Sequence, residues 1–224
     1  MSDTALAQRL RSVQERVARA ADAADRDPAD ITTVVVTKFQ PTGLLRGLYD
    51  LGVRDFGESR HQDAREKAAE LPDDIVWHFV GQLQTKKARQ VRAYSRVIHS
   101  VDRIALVEAL TGGDEATGVF AQVDLAGEEG RGGVDPDGLS DLALAVEAAP
   151  GLQLLGVMAV APQQEEPRRA FARLRELSER VRGIAPGATA ISAGMSGDLE
   201  DALKEGATHL RVGTAITGER ALPP

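Results

Sequence analysis

Eight short apolar segments recur along the chain, most of them followed by a helix-patterned stretch, and this alternation limits the possible folds more than any other feature. The first, ITTVVVT at 31–37, is β-branched throughout and reads as a strand buried on both faces. Strands are expected next at 53–57, 75–81, 96–101, 118–125, 152–158, 188–192 (the weakest) and 208–213. Helices are expected at 41–52, 60–70, 84–93, 103–111, 138–148, 167–182 and 198–205. Short apolar strands separated by helices call for a parallel sheet with helices outside it. Eight such units predict an α/β fold closed into a (β/α)8 TIM-type barrel. The competing arrangement, a doubly wound open sheet, normally carries a Gly-rich first turn, and the first turn here is TKFQPTG.

A further helix precedes the alternation. Leu6, Leu10, Val13, Val17 and Ala20 recur at three- and four-residue intervals and form one apolar stripe, and Pro28 blocks continuation. No internal repeat or linker divides the 224 residues, so a single domain over 1–224 is expected. The net charge of -7 gives no electrostatic reason to seek nucleic acid or anionic lipid, so an anionic ligand needs a local positive site. With no cysteine, thiolate catalysis, disulfides and Cys-based zinc sites are excluded. The charged start resembles no secretory signal, and no apolar run nears the roughly 20 residues that span a bilayer. The expectation is a cytoplasmic protein without membrane or nucleic-acid partners.

In a parallel barrel the chemistry sits at the C-terminal ends of the strands. The first strand ends in Lys38. A lysine desolvated there would expose a nucleophilic amine suited to Schiff-base chemistry, whereas a lysine snorkelling from the strand exit would do nothing. Near the chain's end, ISAGMSGDLEDAL at 191–203 leads from a strand through Gly194, Ser196 and Gly197 into a helix. Asp198 is placed as its N-cap, with Glu200 and Asp201 in the first turn. Such a loop can cradle a phosphate, or can simply be a turn. The last strand sets Arg211 and Gly213 on one side of the chain, followed by Thr214. Closure of the barrel makes the first and last strands neighbours, bringing the lysine beside both loops.

Other polar groups have plainer readings. His78 and His99 could line the barrel interior or be satisfied core residues. Lys86, Lys87 and Arg89 suit a solvated helix face, and Met158 suits the core. The four histidines lack metal-ligand spacing.

The blocks VVVTKFQP, DFGESRHQDAREK, IVWHFVGQLQTKKAR, VIHSVDR, AQVDLAGEEGRGG, LLGVMAVAP and ISAGMSGDLEDALKEGATHLRVGTAITGER together resemble the YggS/PROSC family of pyridoxal phosphate homeostasis proteins over nearly the whole chain. The resemblance implies the barrel of the alanine racemase N-terminal domain, the third fold type of pyridoxal 5′-phosphate (PLP) proteins. It implies PLP held as a Schiff base on Lys38. It further implies Ser196 and the Gly213–Thr214 backbone around the phosphate, Arg211 beside the pyridine nitrogen, and Met195 as a further cofactor-binding residue. An arginine there keeps that nitrogen unprotonated and makes the ring a poorer electron sink. Three departures stand out: Ser59 replaces the family Asn near the cofactor, Thr85 replaces an Asn, and Thr37 replaces a Ser before the lysine.

Racemisation needs a base on each face of the cofactor. Lys38 could supply one. In related racemases the other is a tyrosine from a further β-domain across a dimer, and Tyr49 and Tyr94 fall on or beside predicted outer helices. The chain stops soon after its last strand, at Pro224, so no such domain is expected. The implied function is therefore a PLP carrier or regulator in vitamin B6 and amino-acid balance, monomeric, with PLP-dependent apo-enzymes as possible partners and no catalytic residue of its own. A weak racemase-like enzyme, or a Schiff-base aldolase working on a sugar phosphate without PLP, remain as alternatives.

Overall fold

The β-branched run near residue 31 forms the first strand of a closed parallel barrel in the computed structural model, which describes residues 3–113, 115–127 and 132–218. The strands are β1 (Thr32–Val36), β2 (Asp55–Glu58), β3 (Val76–Phe79), β4 (Val97–Val101), β5 (Thr117–Gln122), β6 (Leu152–Met158), β7 (Ala190–Ser192) and β8 (His209–Val212). They pair in chain order, and β1 closes on β8 through Thr32↔His209 to Val35↔Val212. All eight predicted strands exist, each within a few residues of its expected limits. The loop over 127–138 holds a 3-10 turn at Pro136–Gly138, while residues 128–131 and those beyond Gly218 lie outside the described residues.

Alternation along each strand decides which side chains enter the barrel. Val35, Phe56, Trp77, Ile98, Val119, Leu154, Ile191 and Leu210 are buried in one core between sheet and helices. That layer is covered by α2 (Thr42–Asp50), α3 (His61–Glu70), α4 (Ala88–Arg92), α5 (Ile104–Leu110), α6 (Leu139–Glu147), α7 (Pro167–Arg182) and α8 (Leu199–Lys204). In α7 the residues Ala170, Phe171, Leu174, Ser178 and Val181 line the buried face, and Pro167 opens the helix where no N–H partner is needed. The predicted helix at 84–93 is split into a 3-10 turn at Thr85–Lys87 and α4.

Gly156 shows how tightly the sheet is drawn in. It sits at φ 153°, opposite a register shift at Val119/Phe120, and a Cβ there would lie 1.8 Å from the Ala190 carbonyl oxygen. Only glycine meets both demands.

The N-terminal helix, α1 (Asp3–Asp22), buries its predicted stripe from Leu6 to Ala20. Each leucine and valine of the stripe contributes about 1.5–3 kcal/mol. The helix packs on α2, α8 and a short helix absent from the sequence expectation, α9 (Thr214–Thr217). Among the described residues no helix is long and apolar enough to cross a membrane, and no cluster of side chains could hold a metal ion.

Candidate functional site

At the C-terminal mouth of the barrel, beside the β1–β8 seam, a cleft of about 380 Å³ is lined by the residues that the resemblance assigns to the cofactor: Lys38, Ser59, Met195, Ser196, Arg211, Gly213 and Thr214. Gly197 completes the polar wall, and Val36, Val80 and Val160 supply an apolar one that the sequence reading missed. Val160 and Met195 are large hydrophobic side chains left exposed at the rim.

Of the two alternatives for Lys38, desolvated at the strand end or reaching into solvent from it, the structure shows the second. It is exposed, not desolvated, because β1 ends at Val36 and the chain turns before reaching it. Phe39, next along, adopts φ 64°, a left-handed conformation that strains a bulky residue. That turn lifts Lys38 into the cleft mouth. Access to the amine comes from position rather than from burial.

The peptide before Lys38 is anchored from below. Thr37 Oγ1 donates to Glu58 Oε1 at 2.8 Å, and Lys67 Nζ donates to the same oxygen at 2.6 Å and to the Thr37 carbonyl at 3.0 Å. Thr37, Glu58 and Lys67 are all buried, and Glu58 Oε2 has no partner. This network was not foreseen. A carboxylate at the end of an apolar strand was its only sequence signal, and nothing local named Lys67 as the partner.

Ser59 follows Glu58 and is half-buried in the cleft wall. The neighbouring loop presses so closely on it that a Cβ at Gly81 would stand 2.3 Å from the Ser59 carbonyl oxygen. Across Ser59 lies a second, more polar cleft of about 440 Å³, lined in part by Arg60, His61, Gln82 and Lys87.

The loop before α8 is built differently from its sequence reading. Gly194, at φ 91°, is buried against Ala202 and Leu210, and its carbonyl accepts from the Arg211 N–H, so its role is packing. Asp198 occupies the N-cap position without capping the helix; its Oδ1 accepts instead from the Met195 N–H at 2.6 Å. Among the described residues the N–H groups of Ser196 and Gly197 carry no partner, and a Cβ at Gly197 would meet nothing within 4 Å. Arg16 of α1 fixes the loop from behind. It makes two bonds to Glu200, at 2.5 and 2.6 Å, and one to the Ser196 carbonyl at 2.7 Å. Arg9 of α1 holds α9, the short helix that follows Gly213, through the Ile216 carbonyl at 2.8 Å.

Arg211 is buried beneath the cleft, where Nη1 donates to Ser192 Oγ at 2.6 Å and Nη2 to the Ala159 carbonyl at 2.9 Å. Burial pulls its pKa down to about 10, and Asp198 counteracts this from a distance. It remains a cation at neutral pH. His78 and His99 are buried inside the barrel and hydrogen-bonded to one another, so both sequence readings hold at once. Met158 is core, and Lys86 and Arg89 are exposed, as expected, whereas Lys87 is half-buried and lines the second cleft. Tyr49 donates to Asp74 at 2.8 Å, and the Tyr94 hydroxyl lies 3.4 Å from His61 Nδ1; neither lines the cleft.

The cleft thus joins an accessible primary amine, unpartnered N–H groups beside hydroxyls, a buried cation and an apolar wall. That donor set fits a flat, phosphorylated aldehyde: an anion at the Ser196–Gly197 and Gly213–Thr214 loops, a ring against the valines, a carbonyl near Lys38.

Residues 8–221 match the family model for the alanine racemase N-terminal domain. The pyridoxal phosphate homeostasis protein of Pseudomonas aeruginosa is 40% identical over 223 residues, covering 96% of each chain. PipY of Synechococcus elongatus PCC7942, solved with PLP bound, superposes with a TM-score of 0.82 at 33% identity, over 95% of this chain and all (100%) of that one. The alanine racemase of Bartonella henselae, 16% identical, shares the fold with a TM-score of 0.71 over 99% of this chain and 62% of its own. The chain belongs to the alanine racemase N-terminal domain family and, within it, to the pyridoxal phosphate homeostasis proteins.

Proposed function

We propose that this protein binds PLP on Lys38 and acts in PLP homeostasis, as a carrier or regulator of the cofactor. One observation carries the reading: the amine of Lys38, the two small-residue loops and the cation of Arg211 surround a single cleft at the barrel's C-terminal mouth. Bound there, PLP supplies an aldehyde that combines reversibly with primary amines and a ring able to withdraw electrons. The protein's residues do the rest. Lys38 offers its amine from the cleft mouth. Ser196 and Gly197 offer backbone N–H groups, and Thr214 a hydroxyl, to the phosphate. Val36 and Val80 exclude water from one side of the ring. Arg211 presents a fixed cation toward the ring nitrogen and keeps it unprotonated, which favours holding the cofactor over stabilising carbanions. Ser59 gives the cleft a hydroxyl where the family has an amide, and a bridging water can span the difference.

The engagement of Tyr49 with Asp74 and of Tyr94 with His61 supports a carrier over a racemase, since neither tyrosine lines the cleft. Delivery of PLP to apo-enzymes within the cytoplasm, by a monomer, is part of the same proposal.

The test is the visible absorption spectrum of the purified protein titrated with PLP, for wild type and Lys38→Ala, followed by borohydride reduction and peptide mass spectrometry. A yellow band that reduction traps on Lys38 is expected, and the variant should lack it. No band with PLP in excess would overturn the binding reading. Enzyme-like turnover of an amino acid, lost in Lys38→Ala, would overturn the carrier reading.

A further inference from the structure

Barrels of this kind are usually filled by branched apolar side chains. This one holds a stack of rings: His78 and His99 lie 5.1 Å apart between centroids, His99 and Phe120 4.6 Å, and Phe120 and His209 5.0 Å. Through them runs an unbroken hydrogen-bonded file. Arg211 Nη1 is 2.6 Å from Ser192 Oγ, which is 2.8 Å from His99 Nδ1. His99 Nε2 is 2.9 Å from His78 Nδ1, and His78 Nε2 is 3.0 Å from Asp55 Oδ1. The file starts under the cleft and ends at the first residue of β2, where the Asp55 side chain is 34% exposed at the opposite end of the barrel.

The two ends fix the sense of every bond. Arginine only donates and an ionised carboxylate only accepts. With both imidazoles neutral, His78 must carry its hydrogen on Nε2 to satisfy Asp55. Its Nδ1 must then accept from His99 Nε2–H, and His99 Nδ1 must accept from the Ser192 hydroxyl, whose oxygen accepts from Arg211. The reverse order would set the lone pair of His78 Nε2 against the Asp55 carboxylate. Neutrality of His99 agrees with its burial, which holds its pKa well below the ordinary value. Among the described residues no carboxylate touches Arg211. Every dipole of the file turns its negative end toward the guanidinium, and a negative charge stands behind the last one. Aligned bonds of this kind strengthen one another in a low-dielectric interior.

We infer that Asp55 is a positioning residue of the cofactor site: acting through His78, His99 and Ser192 across the barrel, it holds Arg211 in the pose that faces the ring nitrogen of PLP. The inference rests on the proposed PLP reading of the cleft.

Two measurements test it. Nitrogen-15 NMR of the imidazoles in the ligand-free protein should show a hydrogen on Nε2 and none on Nδ1 for both His78 and His99; a hydrogen on Nδ1 of either overturns the file. PLP titrations should then form a double-mutant cycle. Asp55→Asn and Ser192→Ala should each weaken PLP binding by about three- to tenfold, and Asp55→Asn should add less than about twofold once Ser192 is alanine. An Asp55→Asn protein with wild-type affinity, or effects that multiply in the double variant, would overturn the coupling. A wild-type protein that binds no PLP would remove the cofactor reading, and with it this role of Asp55, while the NMR result still decides the hydrogen-bond sense.

Discussion

Lys67 Nζ lies 2.6 Å from Glu58 Oε1, and both side chains are almost wholly enclosed, at 8% and 1% exposure. The pair stands directly beneath the lysine of the site, because the same ammonium holds the Thr37 carbonyl. Removing one partner strands a buried charge. Lys67→Met is expected to destabilise the fold by about 3–5 kcal/mol in urea unfolding. Adding Glu58→Leu should restore much of that stability, since an apolar pair of similar volume often replaces a buried ion pair without loss. PLP affinity should stay low in the double variant, because the turn that carries Lys38 has lost its tether. Recovery of both together would show that the pair serves stability alone.

Arg16 ties α1 to the Ser196 loop through Glu200 and the Ser196 carbonyl. Both side chains are about one-third exposed or more, so Arg16→Ala should cost under about 1 kcal/mol in stability. It should still weaken PLP binding several-fold, since the loop that offers its N–H groups is no longer held. The hydrogen bond from Arg16 keeps the Glu200 carboxyl below its ordinary range. The pair's contribution is therefore intact above the ordinary carboxylate pKa and is lost as pH falls through the lowered one. Unchanged affinity in Arg16→Ala, measured at neutral pH by fluorescence titration, would remove the clasp.

The buried histidines set a pH dependence of stability. Burial holds His99 well below the ordinary 6.5, helped by repulsion from His78, Arg211 and His209, and burial pulls His209 down to about 4. Once unfolded, both take up protons near 6.5. Below that pH the unfolded chain binds more protons than the native one, so stability falls with decreasing pH, down to about 4 for His209 and further for His99. The slope approaches about 1.4 kcal/mol per pH unit for each histidine. Urea unfolding of the ligand-free protein at pH 7.5, 6 and 5 should show stability declining over the last two points. A flat profile would mean that the interior accommodates the imidazolium.

The barrel was legible because its signal is local. A run such as residues 31–37 can bury both faces only as an inner strand, and the stripe of α1 has a helical period. The site loops were legible because small residues followed by a helix announce themselves along the chain. Three things were not. The sequence left open whether Lys38 is desolvated or reaches into solvent, and what decides it is where β1 stops, two residues earlier, and the strained turn at Phe39. Asp198 looked like a cap, yet the loop turns its carboxylate back to Met195. The file from Arg211 to Asp55 draws one residue from each of five strands, and no spacing within the sequence records which of them meet. The helix α9 has four residues, too few for a period to show.

Two glycines of the mouth separate what the fold needs from what the ligand needs. At Gly81 an added Cβ would lie 2.3, 2.7 and 2.9 Å from backbone atoms of Ser59, so the loop carrying Ser59 must move. Gly81→Ala should lower stability by about 1–3 kcal/mol and weaken PLP binding as Ser59 leaves the cleft wall. At Gly197 an added Cβ meets no protein atom within 4 Å, and its backbone angle is ordinary. Gly197→Ala should therefore leave the urea midpoint unchanged. Gly197 nevertheless lines the cleft beside Ser196, so the methyl group would intrude where the phosphate is placed, and affinity should fall about tenfold or more. Titration of both variants with PLP and, separately, with inorganic phosphate as competitor checks the assignment. If Gly197→Ala binds PLP as wild type does, the phosphate does not rest on the Ser196–Gly197 loop, and the Gly213–Thr214 loop must carry it alone.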